Sequence, residues 1–114
     1  MIIKKGRKIL ADNVIMRKSV VGHLIGLRFF RKLKDNEAML FVFKKPLKST
    51  VDMFFVFYAI DIIFLDERKK IIDLKKNMPP FSFFIMKKKC RYMIEMRKGS
   101  IRKNMLSLND TLSF

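Results

Sequence analysis

Cysteine is nearly missing from this chain of 114 residues: Cys90 stands alone. That excludes an internal disulfide framework and any zinc site built from several thiolates. Histidine is equally scarce. His23 is the only one, so a Ser-His-Asp or Cys-His arrangement would have to use it. Glycine occurs four times, at scattered positions 6, 22, 26 and 99, which excludes a Gly-rich phosphate-binding loop. Long apolar runs are also lacking. The longest, residues 53–60, has eight residues, well short of the roughly 20 that a bilayer-crossing helix needs. The opening MIIKKGRKIL is basic but holds no leader-like apolar stretch. These absences lead to the expectation of a cytoplasmic protein with no membrane span, no cofactor and no metal.

Negative charge is the remaining scarcity. Ten acids face 26 Lys and Arg, a net charge of +16. The excess is uneven. Residues 1–34 carry ten cations against one acid, and residues 82–114 carry eight against two. Residues 35–81 are close to balanced, with eight against seven. Basic ends around a near-neutral apolar centre make polyanions, nucleic acid above all, the natural partner class if those ends meet in space. Lys4, Lys5, Arg7, Lys8, Lys87, Lys88, Lys89 and Arg91 are the candidate contacts. Phe83, Phe84 and Tyr92 lie close by in the sequence, but strand alternation assigns such aromatics to the core rather than to base stacking. Charge alone gives salt-sensitive, sequence-blind binding.

What the chain has in quantity is hydrophobic bulk. Half of it is hydrophobic and twelve residues are Phe, enough to build a core despite the charge. The period is mostly two. Tyr92, Ile94 and Met96 share one face, with Met93, Glu95 and Arg97 on the other. Ile71 and Asp73 oppose Ile72 and Leu74. Residues 39–43 and 53–57 are continuous apolar runs, the pattern of strands buried on both faces. Residues 65–70 form a charged link with Asp66 opening a hairpin turn, and Pro79-Pro80 halts the preceding strand. Ser19–Leu27 and Ser100–Asn104 alone have helical character. The sum is a mainly β fold: a single antiparallel sandwich- or barrel-like domain over residues 1–114, with one or two short helices.

Three blocks of the chain carry a likeness to a known family. The first is Gly26-Leu27-Arg28-Phe29-Phe30-Arg31 followed by Met39-Leu40-Phe41-Val42-Phe43. The second is Met53-Phe54-Phe55-Val56-Phe57 with Ile60-Asp61-Ile62-Ile63-Phe64-Leu65-Asp66. The third is residues 92–96 with Gly99, then Leu108-Asn109-Asp110-Thr111-Leu112-Ser113-Phe114. Together they span about residues 9–114, and in order and spacing they resemble domain-of-unknown-function family 192, an uncharacterised family, in its short archaeal-type form. Arg28, Asp52, Ala59 and Asn109 depart from the family's usual Met, His, Pro and Gly. The resemblance implies a small β-rich fold with no assigned activity.

Asp61 is the leading candidate for chemistry, because it interrupts an apolar strand. Burial disfavours an ionised carboxylate unless cations or backbone amides hold it. It is therefore either a general acid/base or ligand-anchoring carboxylate in a pocket, or an acceptor of backbone hydrogen bonds at a strand entry, and the backbone role is the commoner one. Asp52 and Tyr58 complete the candidate ligand site. No catalytic set emerges, and Cys90 reads as an ordinary exposed or edge-strand thiol despite its cationic neighbours. The functional expectation is a non-catalytic accessory or small-ligand-binding module. The alternative is a non-specific electrostatic nucleic-acid binder.

Overall fold

The computed structural model describes residues 1–18, 31–54 and 56–114. The expected Ser19–Leu27 helix and His23 lie outside the described residues. The chain begins with a ribbon, β1 (Ile3–Lys5) and β2 (Lys8–Ala11), turned at Gly6, whose φ of 59° suits a tight hairpin turn. Next come β3 (Asn13–Lys18), β4 (Glu37–Leu47), β5 (Thr50–Asp52) and β6 (Ile60–Leu65). They are followed by β7 (Ile71–Met78), β8 (Phe83–Ile85), β9 (Cys90–Arg97) and the four-residue helix α1 (Ser100–Lys103).

The main sheet has the order β3-β4-β9-β6-β7, and β5 pairs with β8 in a second ribbon. All pairings are antiparallel except β3 with β4, which is parallel. The mainly β class therefore holds, with one short helix among the described residues. The sheet is mixed, and among the described residues no barrel closes.

Two apolar layers cover the sheet. On one face Met39, Phe41, Ile62, Phe64 and Met93 join Leu33, Met53 and Val56. On the other, Leu40, Ile63, Leu65, Ile94 and Met96 pack with Ile3, Ile101 and Leu112. The alternation read for β4, β6 and β9 is what divides these sets, since successive side chains of a strand leave on opposite sides. The charged link is the β6–β7 hairpin. Asp66 Oδ1 accepts the Arg68 and Lys70 amides at 2.9 and 3.0 Å, closing the turn. β7 ends at Met78, before the two prolines.

Two readings need correction. In the apolar run expected as a strand over 53–57, residues 53, 54, 56 and 57 lie outside any strand: β5 stops at Asp52. Met53 and Val56 are buried, but Phe54 and Phe57 are exposed. The Val56 amide bonds back to the Met53 carbonyl at 3.1 Å, so the backbone turns instead of pairing. In β7, Leu74 packs on the same side as Ile71. Leu65 pairs with Ile71 and Phe64 with Asp73, so an extra residue enters the ladder and resets the alternation.

Candidate functional site

A second irregularity in β7 builds the site. Ile60 pairs with Met78 and Ile62 with Lys75, leaving Lys76 and Asn77 together opposite Asp61. This bulge frees the Asn77 amide from the ladder, with Asn77 at a φ of 50°. The amide donates to Asp61 Oδ1 at 2.9 Å. The second oxygen, Oδ2, accepts the amide of Ile101 at 2.9 Å. Ile101 lies in the first turn of α1, where helix amides lack intrahelical partners. Gly99 occupies the cap position and has no side chain to serve them. Asp61 thus caps a helix from a distant strand and ties β6, β7 and α1 together.

Around this junction opens a cleft of about 610 Å³, lined by Lys32, Asp61, Lys76, Asn77, Arg97, Lys98, Gly99 and Arg102. Five of those residues are cationic. The single acid among them already accepts two backbone amides, so the open space carries a net positive field. Arg97 is drawn toward Asp35 at 3.6 Å, a pair in which both partners are well exposed.

Asp61, Asp52 and Tyr58 do not meet as one site. Asp61 leaves β6 on the Ile63 face, beside Ile101. Asp52 ends β5, and its Oδ1 accepts the Phe54 amide at 3.2 Å. The Tyr58 hydroxyl donates to the Arg31 carbonyl at 2.9 Å. Both belong to the surroundings of Glu95, which projects from β9 on the opposite face, between Met39 and Ile62. Glu95 is 4% exposed. Its Oε1 has no hydrogen-bond partner among the described residues. Burial, reinforced by the Asp52 charge, pushes its carboxyl up to about 8. Burial, with the Glu95 charge behind it, pushes the Tyr58 hydroxyl up to about 12 against the opposing pull of Arg31.

Glu37 shows the contrary case. Arg31 grips it with two guanidinium hydrogen bonds of 2.7 and 2.5 Å, and the Lys34 amide adds one of 2.8 Å. The Arg31 bonds, then the amide, bring its carboxyl down to about 2. Sequence reasoning missed Glu95, Glu37 and the cationic lining. Glu95 had a signal: it shares a face with Met93 in a strand whose other face is also apolar.

The chain ends do meet. The Lys4 and Ser113 backbones bond to each other, and Lys5 Nζ reaches Asp110 at 2.9 Å. Lys5 lowers the Asp110 carboxyl below its ordinary value. Lys8 Nζ contacts the Lys103 carbonyl at 3.5 Å. Arg7, Lys87, Lys88 and Lys89 are exposed, and Arg91 is half-buried over the Tyr92 ring at 5.3 Å. Cys90 is wholly buried in the interior strand β9, not exposed or at an edge, and burial pushes its thiol up to about 12. Phe83 is 65% exposed rather than part of the core. Among the described residues, no three His, Cys, Asp or Glu side chains gather where a metal ion could sit. No helix among them is long and apolar enough to cross a membrane.

A five-stranded mixed sheet flanked by two ribbons, with one buried aspartate knotting strand, bulge and helix, defines the class of protein. The chain belongs to domain-of-unknown-function family 192 (DUF192, Uncharacterized ACR), whose sequence profile matches residues 2–114. It is 29% identical to a UPF0127 protein of Pyrococcus furiosus, over 98% of this chain and 94% of that one. A UPF0127 protein of Thermococcus sibiricus is 35% identical over 58% of this chain, a match that spans 44% of that protein's length. Among solved structures, a protein of unknown function from Novosphingobium aromaticivorans superposes with a TM-score of 0.81 at 19% identity. That match covers 89% of this chain and 74% of the other. A protein from Sinorhizobium meliloti, described as a proposed transcription regulator, superposes with a TM-score of 0.80 at 20% identity, covering 88% and 79%. At such identities these two likenesses concern the fold alone.

Proposed function

We propose that the protein is a non-catalytic accessory module that binds a small anionic ligand in the cleft beside Asp61. One observation carries this reading: five cations surround about 610 Å³ of open space, and the one acid among the described lining residues is already committed to two amides. Lysine ammonium groups and the forked guanidinium of arginine suit phosphate or carboxylate. Asp61 acts from beneath, holding Asn77 and the start of α1 where the lining cations converge. Asp52 and Tyr58 stand apart from this ligand, around Glu95.

Calorimetric titration with inorganic phosphate, citrate and adenosine monophosphate tests it. Saturable binding of at least one of them is expected, weakened about tenfold or more by a Lys98→Glu, Arg102→Glu double substitution. Heat-silent titrations for all three anions would remove the reading. The electrostatic nucleic-acid alternative has its own support in the exposed Arg7, Lys87, Lys88 and Lys89. It expects oligonucleotide affinity that falls steeply between low and physiological salt and is blind to sequence.

A further inference from the structure

Among the described residues, five large exposed hydrophobic side chains lie on the β5–β8 ribbon and the loops that flank it. Phe54, Phe57, Phe81, Phe83 and Ile85 are between 49% and 65% exposed. They are held together by backbone. Asp52 pairs with Phe83 and Thr50 with Ile85, so Phe83 and Ile85 share the ribbon's outer face, while Val51 and Phe84 turn inward. The Met53 amide bonds to the Ser82 carbonyl at 2.7 Å and the Phe81 amide to the Met53 carbonyl at 2.9 Å, which places the two loops side by side. The Phe57 and Phe81 rings meet edge to face at 5.2 Å. Phe81 has a φ of 57°, a costly conformation for a bulky residue. Here it serves a ring that stays half in water.

The borders of this patch are cationic. The Met86 amide bonds to the Ser49 carbonyl at 3.0 Å, which fastens Lys48 and Lys87 at the Ile85 end of the ribbon, with Lys88 and Lys89 following. Residues 44–54 and 81–91 together hold seven Lys and Arg against one Asp. Scattered apolar side chains on a surface need no explanation, but five large ones joined in one patch mark an interaction site.

The charge chooses among occupants. A second copy of a chain carrying +16 would bring the same lysines against these ones. A single-stranded nucleic acid matches the charge, yet it stacks on flat aromatic faces, and Ile85 has none. An anionic bilayer accepts phenyl and aliphatic groups alike at the headgroup–acyl boundary and draws lysines to its surface potential. We propose that this face docks on anionic lipid, with Phe54, Phe57, Phe81, Phe83 and Ile85 entering the interface and Lys48, Lys87, Lys88 and Lys89 lying over the headgroups. The two signals act jointly, as reversible peripheral anchoring requires.

Co-sedimentation with phosphatidylcholine vesicles, with and without one part in four of phosphatidylglycerol, tests the proposal. Binding is expected only to the anionic vesicles. A Phe83→Asp, Ile85→Asp double substitution should lower partitioning by about tenfold or more, since it removes burial and adds repelled charge. Changing Lys87, Lys88 and Lys89 to Gln should lower it by on the order of a hundredfold. All these side chains are exposed, so melting curves should be unchanged; Phe57→Ser serves if the double variant unfolds. Three outcomes overturn the proposal. One is no binding to either vesicle. Another is anionic binding indifferent to Phe83, Ile85 and Phe57. The third is a Phe83-dependent dimer or oligonucleotide complex in place of vesicle binding.

Discussion

Asp61 and Glu95 sit on neighbouring strands, one register position apart, and meet opposite fates. Asp61 pairs with Met96, and Ile62 pairs with Glu95. Each is a lone carboxyl in an apolar strand, and each is almost wholly buried. They point to opposite faces of the sheet. Asp61 finds two amides waiting, one freed by the β7 bulge and one at the first turn of α1. Glu95 is flanked by Met39 and Ile62, strands whose amides are already spent on the ladder. What decides the role of a buried acid is therefore not its own flanking residues but the unpaired backbone that its neighbours bring to it.

Removing Asp61 should do the most damage. Asp61→Ala leaves the buried Ile101 amide and the part-buried Asn77 amide without an acceptor; at about 1–3 kcal/mol for a buried amide and less for one that water can reach, a loss of about 3 kcal/mol is expected in urea unfolding. Asp61→Asn, which keeps one acceptor oxygen, should cost about half as much. A loss below ~1 kcal/mol for the alanine variant would collapse the contrast with Glu95.

The pH dependence comes next. Glu95 has its folded pKa raised from 4.5 to about 8, so the folded state holds this proton more tightly than the unfolded chain does. Its contribution is fully present below pH 4.5 and is lost as pH rises through about 8. Glu37 runs the other way. Its folded pKa is lowered from 4.5 to about 2, so its contribution is present above 4.5 and is lost as pH falls toward 2. Stability should thus decline between pH 5 and 8 by on the order of a few kcal/mol. Glu95→Gln should flatten that slope while leaving the acid limb, to which Glu37 and the lowered Asp110 contribute, in place. A wild-type curve that is level from pH 5 to 8 counts against a buried neutral Glu95.

At constant pH the same carboxyl gives a gain instead of a loss. Glu95→Met fills a similar volume between Met39 and Ile62 and removes an oxygen that has no partner among the described residues. Stabilisation of about 1–2 kcal/mol at pH 7.5 is expected in thermal unfolding. Destabilisation would mean that the Glu95 carboxyl makes a favourable interaction in the folded protein.

Strand periodicity made much of this frame legible. The faces of β9, the buried run of β4, the Asp66 hairpin and the short α1 all follow from alternation and turn chemistry. Residues 53–57 misled because apolar composition resembles a buried strand even where the backbone turns and Phe54 and Phe57 face water. The parallel β3–β4 pairing and the β5–β8 ribbon were not legible, since pairing partners distant in sequence leave no local trace. Asp61 was legible as a buried acid with a backbone role on offer. The cleft was not, because Lys32, Lys76, Arg97, Lys98 and Arg102 come from four separate stretches of the chain. Nor was the separation of Asp61 from Asp52 and Tyr58, because which layer of the sheet β5 and Tyr58 pack against leaves no local trace.

The smallest effect on stability falls at the rim of the cleft, and it separates framework from ligand site. Asp35 is 66% exposed and lies 3.6 Å from Arg97, the class of surface pair whose measured worth is about 0–1 kcal/mol. Asp35→Asn should therefore move the unfolding midpoint by less than ~0.5 kcal/mol, a small fraction of what Asp61→Ala removes. Its effect on binding has a different origin. Deleting this acid raises the positive potential over the cleft and releases Arg97 toward the open space, so phosphate affinity should rise roughly two- to fivefold at low salt. An unchanged or lowered phosphate affinity in a normally folded Asp35→Asn protein would place the anion elsewhere, leaving Asp61 as an internal cap with no ligand above it.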